Sequence, residues 1–397
     1  MMLSPAELDD IKSRPGNDCA EVARQWVSLR RQGGRLVGPC PLCSRNPQSR
    51  KTACFEVKDG GQAWVCAKCG NGGDVIKLVQ QHENIDFRAA VEWLGGSRQI
   101  DPEIAAKRER ERQAQEAKRQ AEADEFRQRE RKTLYDIWNE ASPAVGSPVE
   151  AYLQLRGLHL PEWSQRADRL RCVPRMPYFH GTQDGPDGRK HQRVIHRGPA
   201  MLAPIVGPDG KFRGLHFTYI DLAQPNGKAA ITDPDIGEEL PAKKVRGSKT
   251  GGHIHLIGPR EPKQIVIGEG IETVLSVWLA MKECAIDIST TAFWSSVDLG
   301  NLGGPAADRV VHPELTDAGG RARRIPGPDP DMTKPGIDIP QSVIDVIALG
   351  DGDSDLVLTE CAIHRGAVRW REGNAARIVR VAWAPEGMDF NDMVRGA

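Results

Sequence analysis

Apolar positions follow two different periods in the last third of the chain. Residues 265–267 and 343–349 are short apolar runs, which are typical of strands buried on both faces of a sheet. After the first run, apolar residues recur at helical spacing over residues 271–279. The pattern predicts a strand, a tight turn and a helix, as in open α/β sheets, where ligands bind at the carboxyl ends of strands.

Carboxylates stand at the ends of both predicted strands. Glu269 lies between two glycines after the first strand, and Asp351 and Asp353 lie in the sequence GDGDSD after the second. In an extended segment the side chains of Asp351 and Asp353 leave by the same face. Close carboxylates need a positive partner, and Mg²⁺ takes such ligands together with substrate phosphates. Taken alone, Glu269 could be a solvated turn residue or a helix cap, and the acidic turn could bind calcium, although the EF-hand spacing is absent.

Two Cys-x-x-Cys pairs lie in the first part of the chain. Their cysteines are Cys40, Cys43, Cys66 and Cys69. Four thiolates suit a tetrahedral zinc ion, and such a closed site predicts a structural role. A redox Cys-x-x-Cys would explain one pair but not both. The chain has nine cysteines, an odd number, which favours a reducing compartment over a disulfide framework.

A two-stranded hairpin is predicted between the cysteine pairs. Residues 53–57 and 62–65 alternate around the turn sequence Lys-Asp-Gly-Gly. Phe55 and Trp64 lie on these strands, with several lysines and arginines nearby. Rings beside cations suit single-stranded DNA, because bases stack on the rings while cations meet phosphates. Both rings could equally form the core of so small a domain, and the sequence leaves the two alternatives open.

Residues 98–132 are almost entirely charged, Ala or Gln, with no apolar stripe, and this composition favours an exposed helical linker. Residues 133–258 show strand and turn patterns of a further folded segment. The Pro- and Gly-rich stretch 319–336 is expected to be a surface loop without a catalytic role.

The length of 397 residues predicts two or three domains. Lys plus Arg and Asp plus Glu both number 54, so only local patches can argue for nucleic acid. No apolar run approaches the length of a membrane span. The N-terminus also lacks the layout of a secretory signal. We therefore expect a cytoplasmic protein without a membrane partner.

A strand ending in Glu-Gly, followed by a strand ending in Asp-Gly-Asp, resembles the Toprim domain of topoisomerases, bacterial-type primases and some nucleases. Residues 384–392 (APEGMDFND) are similar to the closing element of primase Toprim domains. The resemblance implies an acidic site for Mg²⁺ or Mn²⁺ formed by Glu269, Asp351 and Asp353, with Asp389 close by. Thr273 stands where an Asp is usual, and Asn391 replaces a second Asp. These departures leave the number of metal ions open.

Two further segments carry the resemblance. The cysteine pairs and their hairpin resemble the zinc ribbon of bacterial and phage primases, in its all-cysteine version. The strands and basic loop up to residue 258 are similar to the subdomain that precedes Toprim in primases. In that family, basic residues here line the groove for template and incoming nucleotide, which implies Lys244, with Arg246 and Lys249 nearby. The arrangement looks closer to primases of phages and mobile elements.

These observations predict a multidomain protein of α+β and α/β class. The expected parts are a zinc ribbon (1–97), a charged helical linker (98–132), the N-terminal subdomain of a primase catalytic core (133–258) and a mostly parallel, helix-flanked Toprim domain (259–397). The expected function is Mg²⁺-dependent synthesis of RNA primers from nucleoside triphosphates on single-stranded DNA, beside a separate replicative helicase. The alternatives are a Toprim-type metal-dependent nuclease and a non-catalytic DNA-binding recombination protein.

Overall fold

The computed structural model describes residues 5–33, 35–49, 51–95, 102–159, 169–317 and 319–396. The chain divides into two compact units, Met1–Ala123 and Asp124–Ala397. The predicted segments 133–258 and 259–397 therefore lie together in the second unit.

Ten α-helices are present in the described residues. They are α1 (Pro5–Ser13), α2 (Cys19–Arg24), α3 (Val75–Glu83), α4 (Phe87–Trp93), α5 (Pro102–Glu140), α6 (Pro148–Leu155), α7 (Ile271–Glu283), α8 (Leu299–Gly303), α9 (Leu356–Glu372) and α10 (Phe390–Arg395).

The strands of the first unit are β1 (Arg30–Gln32), β2 (Arg35–Gly38), β3 (Phe55–Lys58), β4 (Ala63–Cys66) and β5 (Gly72–Gly73). Those of the second unit are β6 (Ser142–Pro143), β7 (Arg171–Asp184), β8 (Lys190–Val206), β9 (Phe212–Tyr219), β10 (Ile231–Thr232), β11 (Glu239–Leu240), β12 (Lys243–Gly247), β13 (Ile254–Ile257), β14 (Gln264–Gly268), β15 (Thr291–Ser295), β16 (Arg309–Thr316), β17 (Ala322–Pro326), β18 (Asp345–Gly350) and β19 (Ile378–Trp383).

The first unit is built on a small antiparallel sheet in the order β1-β2-β3-β4-β5. The predicted hairpin is confirmed, because β3 pairs with β4 from Phe55 opposite Cys66 to Lys58 opposite Ala63. Apolar side chains of α2, α3 and α4 pack with Phe55 and Trp64 into one core. The sheet therefore presents its cysteines from a rigid base.

Helix α5 runs unbroken through the predicted boundary between residues 132 and 133. Residues 110–129 are almost entirely exposed, as expected for a charged linker, whereas residues 98–101 lie outside the described residues. Near the C-terminus of the helix, Leu134 and Trp138 are buried in a core with Tyr178 and Phe217. The last turns of α5 are therefore part of the folded second unit.

The second unit contains two five-stranded sheets. One is antiparallel, in the order β12-β9-β8-β7-β6. The other has the order β13-β15-β14-β18-β19 and is parallel except for β13. Side chains of β14 alternate between its faces: Val266 packs with apolar residues of α7, whereas Ile265 and Ile267 pack with those of α9. The predicted mostly parallel sheet flanked by helices is thus present.

The expectation of a surface loop over residues 319–336 is wrong for its first part. Strand β17 pairs with β16 in an antiparallel hairpin, from Arg309 opposite Pro326 to Thr316 opposite Ala322. The Gly and Pro residues that suggested a loop form the turn and the end of this hairpin.

Among the helices of the described residues, none combines the length and the apolar composition needed to cross a bilayer.

Candidate functional site

The four predicted zinc ligands come together at one end of the ribbon sheet. Cys40 and Cys43 follow β2, whereas Cys66 ends β4 and Cys69 lies in the turn after it. The four Sγ atoms lie within 4.8 Å of one another, and those of Cys43 and Cys66 are 3.8 Å apart. A tetrahedron with Zn–S bonds of about 2.3 Å has edges of about 3.8 Å. Donor type and spacing therefore fit a structural zinc ion.

Backbone hydrogen bonds shape both cysteine turns in the same way. The Ser44 N–H donates to the Cys40 carbonyl (3.1 Å), and the Gly70 N–H donates to the Cys66 carbonyl (3.0 Å). Burial raises the pKa of the Cys66 thiol, but the N–H groups of Cys69 and Lys68 outweigh it and bring the pKa to about 7. The second turn thus favours the thiolate form of Cys66, which is the form that binds zinc, whereas burial raises the pKa of the Cys40 and Cys43 thiols.

Phe55 and Trp64 form the core of the ribbon. Their side chains are 0% and 2% exposed, and their rings stack with centroids 5.4 Å apart. The indole N–H of Trp64 donates to the Asp74 carbonyl (3.1 Å). Of the two alternatives left open by the sequence, the structure favours core packing for both rings, because neither ring is accessible to a base.

The predicted acidic residues lie at the carboxyl ends of neighbouring parallel strands. Glu269 follows β14 and Asp351 follows β18, and the two strands pair in register with Ile267 opposite Ala348. Both side chains therefore start from the same edge of the sheet. Asp353 lies two residues further along the turn. The positions of these acidic residues are set by β14 and β18, because the apolar side chains of both strands are buried on both faces of the sheet.

The loop containing Asp389 is bonded directly to the acidic turn. The Gly352 N–H donates to the Met388 carbonyl, and the Gly387 N–H donates to the Gly352 carbonyl, both at 2.9 Å. Asp389 then caps α10 by accepting from the Asp392 N–H (2.7 Å). Its carboxylate lies 3.7 Å from the Arg156 guanidinium. Two hydrogen bonds across the turn thus bring the last predicted acidic residue to the site.

The carboxylates influence one another electrostatically. Burial and the charge of Asp351 raise the pKa of Glu269 to about 7, although Lys243 opposes the shift. Burial, followed by the charges of Asp389 and Asp353, raises the pKa of Asp351 to about 6. The structure therefore brings all four predicted acidic residues into one neighbourhood, where negative charge accumulates.

One oxygen of this cluster lacks a partner. Asp351 Oδ2 accepts from the Thr273 hydroxyl (3.3 Å), whereas Oδ1 is buried without a hydrogen-bond partner. Burying such an oxygen is costly, and a hard cation would satisfy it. Throughout the described ranges, the four cysteines are the only group with three or more ligand atoms within 4.8 Å. The open acidic cluster fits Mg²⁺, which binds through one or two carboxylates and keeps several waters.

The three predicted phosphate-binding cations lie in different surroundings. Lys244 donates to the Phe179 carbonyl, and its ammonium lies 3.9 Å from the centre of the Tyr178 ring. Arg246 forms two hydrogen bonds with Glu130, at 3.0 and 3.1 Å. These two side chains are thus committed to contacts within the antiparallel sheet and α5.

Lys249 has a different partner. Its ammonium binds Asp298, whose negative charge contributes to the raised pKa of Glu269. Of the three predicted cations, Lys249 is the one that the structure connects to the acidic neighbourhood.

Sequence reasoning missed Lys243. Its ammonium lies 3.1 Å from Glu272 Oε2, and the Tyr152 hydroxyl donates to the other oxygen of Glu272. Glu272 is 3% exposed, and although burial raises its pKa, Lys243 and then Lys228 hold that pKa well below its usual range. Because Lys243 also lowers the pKa of Glu269, it connects this buried ion pair to the acidic site. The sequence offered one signal for Lys243. Neighbouring residues of a strand face opposite sides, so Lys243 and Lys244 on β12 do not share a face.

The two departures from the family pattern have structural roles. Asn391 is fully buried, and its amide donates to the Arg156 carbonyl (2.8 Å) and the Ser276 hydroxyl (3.0 Å). Asn391 therefore fixes α10 to neighbouring elements. Thr273 contributes a hydroxyl that holds Asp351 in place.

Known proteins match separate parts of the chain. The CHC2 zinc finger family matches residues 3–110, and a domain of unknown function (DUF7146) matches residues 128–256. The DNA primase of Listeria innocua is 26% identical over 153 residues, which is 38% of this chain and 23% of that primase. The DNA primase of Thermotoga maritima is 34% identical over 100 residues, which is 25% of this chain and 16% of that primase.

A solved structure of the Aquifex aeolicus primase (zinc binding and RNA polymerase domains) is 16% identical, with a TM-score of 0.36, and the match covers 100% of this chain and 83% of that chain. The alignments with the two curated relatives span less than a quarter of either relative. Residues 3–110, which contain the four-cysteine ribbon, match the CHC2 zinc finger family, and parts of the chain are similar to bacterial DNA primases.

Proposed function

We propose that the protein is a primase, which synthesises short RNA primers on single-stranded DNA. The observation that carries this proposal is the carboxylate cluster at the ends of β14 and β18, with a buried and unpaired oxygen on Asp351. The sequence similarity to DNA primases and the CHC2-type ribbon support it. In this proposal the parallel sheet is the Toprim domain, and residues 133–258 are the N-terminal subdomain of the catalytic core.

The proposed reaction is nucleotidyl transfer. The 3′-oxygen of the primer forms a bond to the α-phosphorus of a nucleoside triphosphate, and the bond to the bridging oxygen breaks to release pyrophosphate. Asp351 and Asp353 would hold Mg²⁺ or Mn²⁺, which neutralises phosphate charge and lowers the pKa of the attacking hydroxyl. Glu269 would complete the acidic site, either as a third ligand of the ion or as the base that receives the proton of that hydroxyl.

Two lysines complete the proposed site. Lys243 keeps 38% of its side chain exposed while it binds Glu272, and Lys249 keeps 44% exposed while it binds Asp298. Each ammonium has three donors, so it can bind a phosphate oxygen as well as its carboxylate. Both lysines are therefore placed to balance the charge of a triphosphate beside the carboxylates.

A primer-synthesis assay tests the proposal. The full chain is incubated with single-stranded DNA, ribonucleoside triphosphates and Mg²⁺, and labelled products are resolved by length. Asp353→Ala should abolish synthesis, whereas Glu386→Ala should not, because Glu386 is an exposed carboxylate of the neighbouring loop. Wild-type synthesis by Asp353→Ala would refute the mechanism. Nicking of plasmid DNA without nucleotides would instead identify the alternative, a nuclease. A separate replicative helicase and a cytoplasmic location stay predictions.

A further inference from the structure

The hairpin of β16 and β17, inserted between β15 and β18, carries a local excess of positive charge. Its charged residues are Arg309, Arg321, Arg323 and Arg324 against Glu314 and Asp317. All four arginines are exposed. Because the whole chain has a net charge of zero, this excess is a property of the hairpin and not of the protein as a whole.

The four guanidinium groups are available to a ligand. In the part of the chain that the structure describes, none of them forms a salt bridge with a carboxylate. Arg309 donates to the Arg324 carbonyl, and Arg324 donates to the Arg309 carbonyl across the hairpin. These contacts hold two guanidinium groups at the surface and leave their charge uncompensated.

The hairpin is fixed beside the acidic turn through His312, which is 3% exposed on β16. Its Nδ1 accepts from the N–H groups of Glu314 (3.1 Å) and Leu315 (2.8 Å). The proton must therefore reside on Nε2, which donates to Asp355 (3.0 Å). Asp355 in turn caps α9 and lies two residues after Asp353.

A second contact fixes the base of the hairpin. Arg365 of α9 is 3% exposed and donates to the carbonyls of Gly304 (3.1 Å), Pro326 (3.4 Å) and Gly327. Both anchors start from α9, the helix that follows the acidic turn. The arginines are thus carried by a hairpin that two buried side chains fix to α9, the helix that follows the acidic turn.

We propose that this hairpin binds the phosphate backbone of the single-stranded DNA template next to the acidic site. The inference rests on the proposed function, which requires such a strand there. A guanidinium group matches the geometry of a phosphate and can bind it through two hydrogen bonds. The hairpin contains no Phe, Tyr or Trp on which a base could stack. The contact is therefore independent of base sequence and sensitive to salt.

The test measures binding of a fluorescent oligothymidylate to the full chain by anisotropy at several salt concentrations. The variant is R321A/R323A/R324A. Arg323 and Arg324 are consecutive on β17 and face opposite sides of the strand, so one DNA strand contacts at most two of the three arginines. Each lost phosphate contact lowers the steepness of log K against log salt by about 0.7 for single strands, so two contacts lower it by about 1.4. The same relation predicts affinity about 25-fold weaker at 0.1 M salt, converging with wild type near 1 M.

Three further variants make the result decisive. The R321K/R323K/R324K protein keeps the charge and should recover most of the affinity. If the triple variant fails to fold, R323E alone provides the test, and it should weaken binding. E386A, which removes an exposed carboxylate of the neighbouring loop, should bind and synthesise like wild type. If the triple variant melts like wild type and binds with unchanged affinity and salt slope, the inference is overturned. If it loses binding while the wild type makes no primers, the hairpin contact stands and the proposed function fails.

Discussion

Gly352, between the two aspartates of the acidic turn, cannot carry a larger side chain. A Cβ atom built on it would lie 2.0 Å from the Pro385 carbonyl oxygen and 2.8 Å from the Ala384 oxygen. Because non-bonded heavy atoms prefer separations of about 3.5 Å, Gly352→Ala must push the two loops apart by about 1.5 Å. That movement breaks the two hydrogen bonds between them, each worth about 1 kcal/mol.

We therefore expect Gly352→Ala to lose about 2 kcal/mol of stability and at least about 10²-fold in rate, since a displacement of 1 Å at a reacting centre has that effect. Thermal unfolding and the initial rate of primer synthesis at saturating Mg²⁺ measure the two losses. Gly387→Ala is the matched control: it has nothing within 4 Å of its Cβ, but its φ of +77° is left-handed.

The control separates stability from position. A left-handed alanine costs about 1–2 kcal/mol, so both variants should melt at lower temperature. Only Gly352→Ala should lose most of its activity, because only there must the backbone between Asp351 and Asp353 move. Wild-type rates for Gly352→Ala would refute the close approach of the loops. Equal loss of rate in both variants would show that stability alone determines the activity.

Two further predictions concern metal and protons. Cys66→Ser should lower bound zinc from one ion per chain, measured by atomic emission, and should unfold the ribbon, because four ligands close the site; a full zinc content would contradict the assignment. Glu269 has a pKa raised to about 7, so its protonated form stabilises the folded state, and this contribution falls as the pH rises from about 4.5 to 7. Without Mg²⁺, Glu269→Gln should therefore melt at a higher temperature than wild type at pH 8, and the difference should shrink towards pH 4.5. Mg²⁺ should raise the melting temperature of the wild type more than that of Glu269→Gln. A difference in melting temperature that is independent of pH would contradict the assignment.

Local patterns in the sequence predict the zinc site because its geometry is local. Each Cys-x-x-Cys turn is closed by its own backbone, and a short hairpin joins the two turns. The acidic site is different, since β14 and β18 are far apart in sequence and pair only in the folded sheet. Apolar runs predict both strands, but their adjacency came from the resemblance to Toprim domains.

Sequence patterns also left burial undecided for the aromatic side chains. Phe55 and Trp64 lie on alternating strands, where either face could have been the inner one. A domain of this size has few large apolar residues, so its core recruits both rings.

The hairpin of β16 and β17 was missed for a related reason. Its turn is rich in Gly, and its strands carry exposed arginines, so its strand pattern is weak.

The lysines of β12 show how a single position decides a functional assignment. Consecutive residues of a strand face opposite sides, so a shift of one residue exchanges the two faces. Sequence similarity pointed to Lys244, whose ammonium meets the Tyr178 ring and a backbone carbonyl. Lys243, one residue earlier, is the lysine that balances Glu272 and acts on Glu269. A site that holds several carboxylates needs a nearby cation. Lys243 and Lys249 meet that requirement in the structure, and the phosphate-binding role of Lys244 stays a prediction.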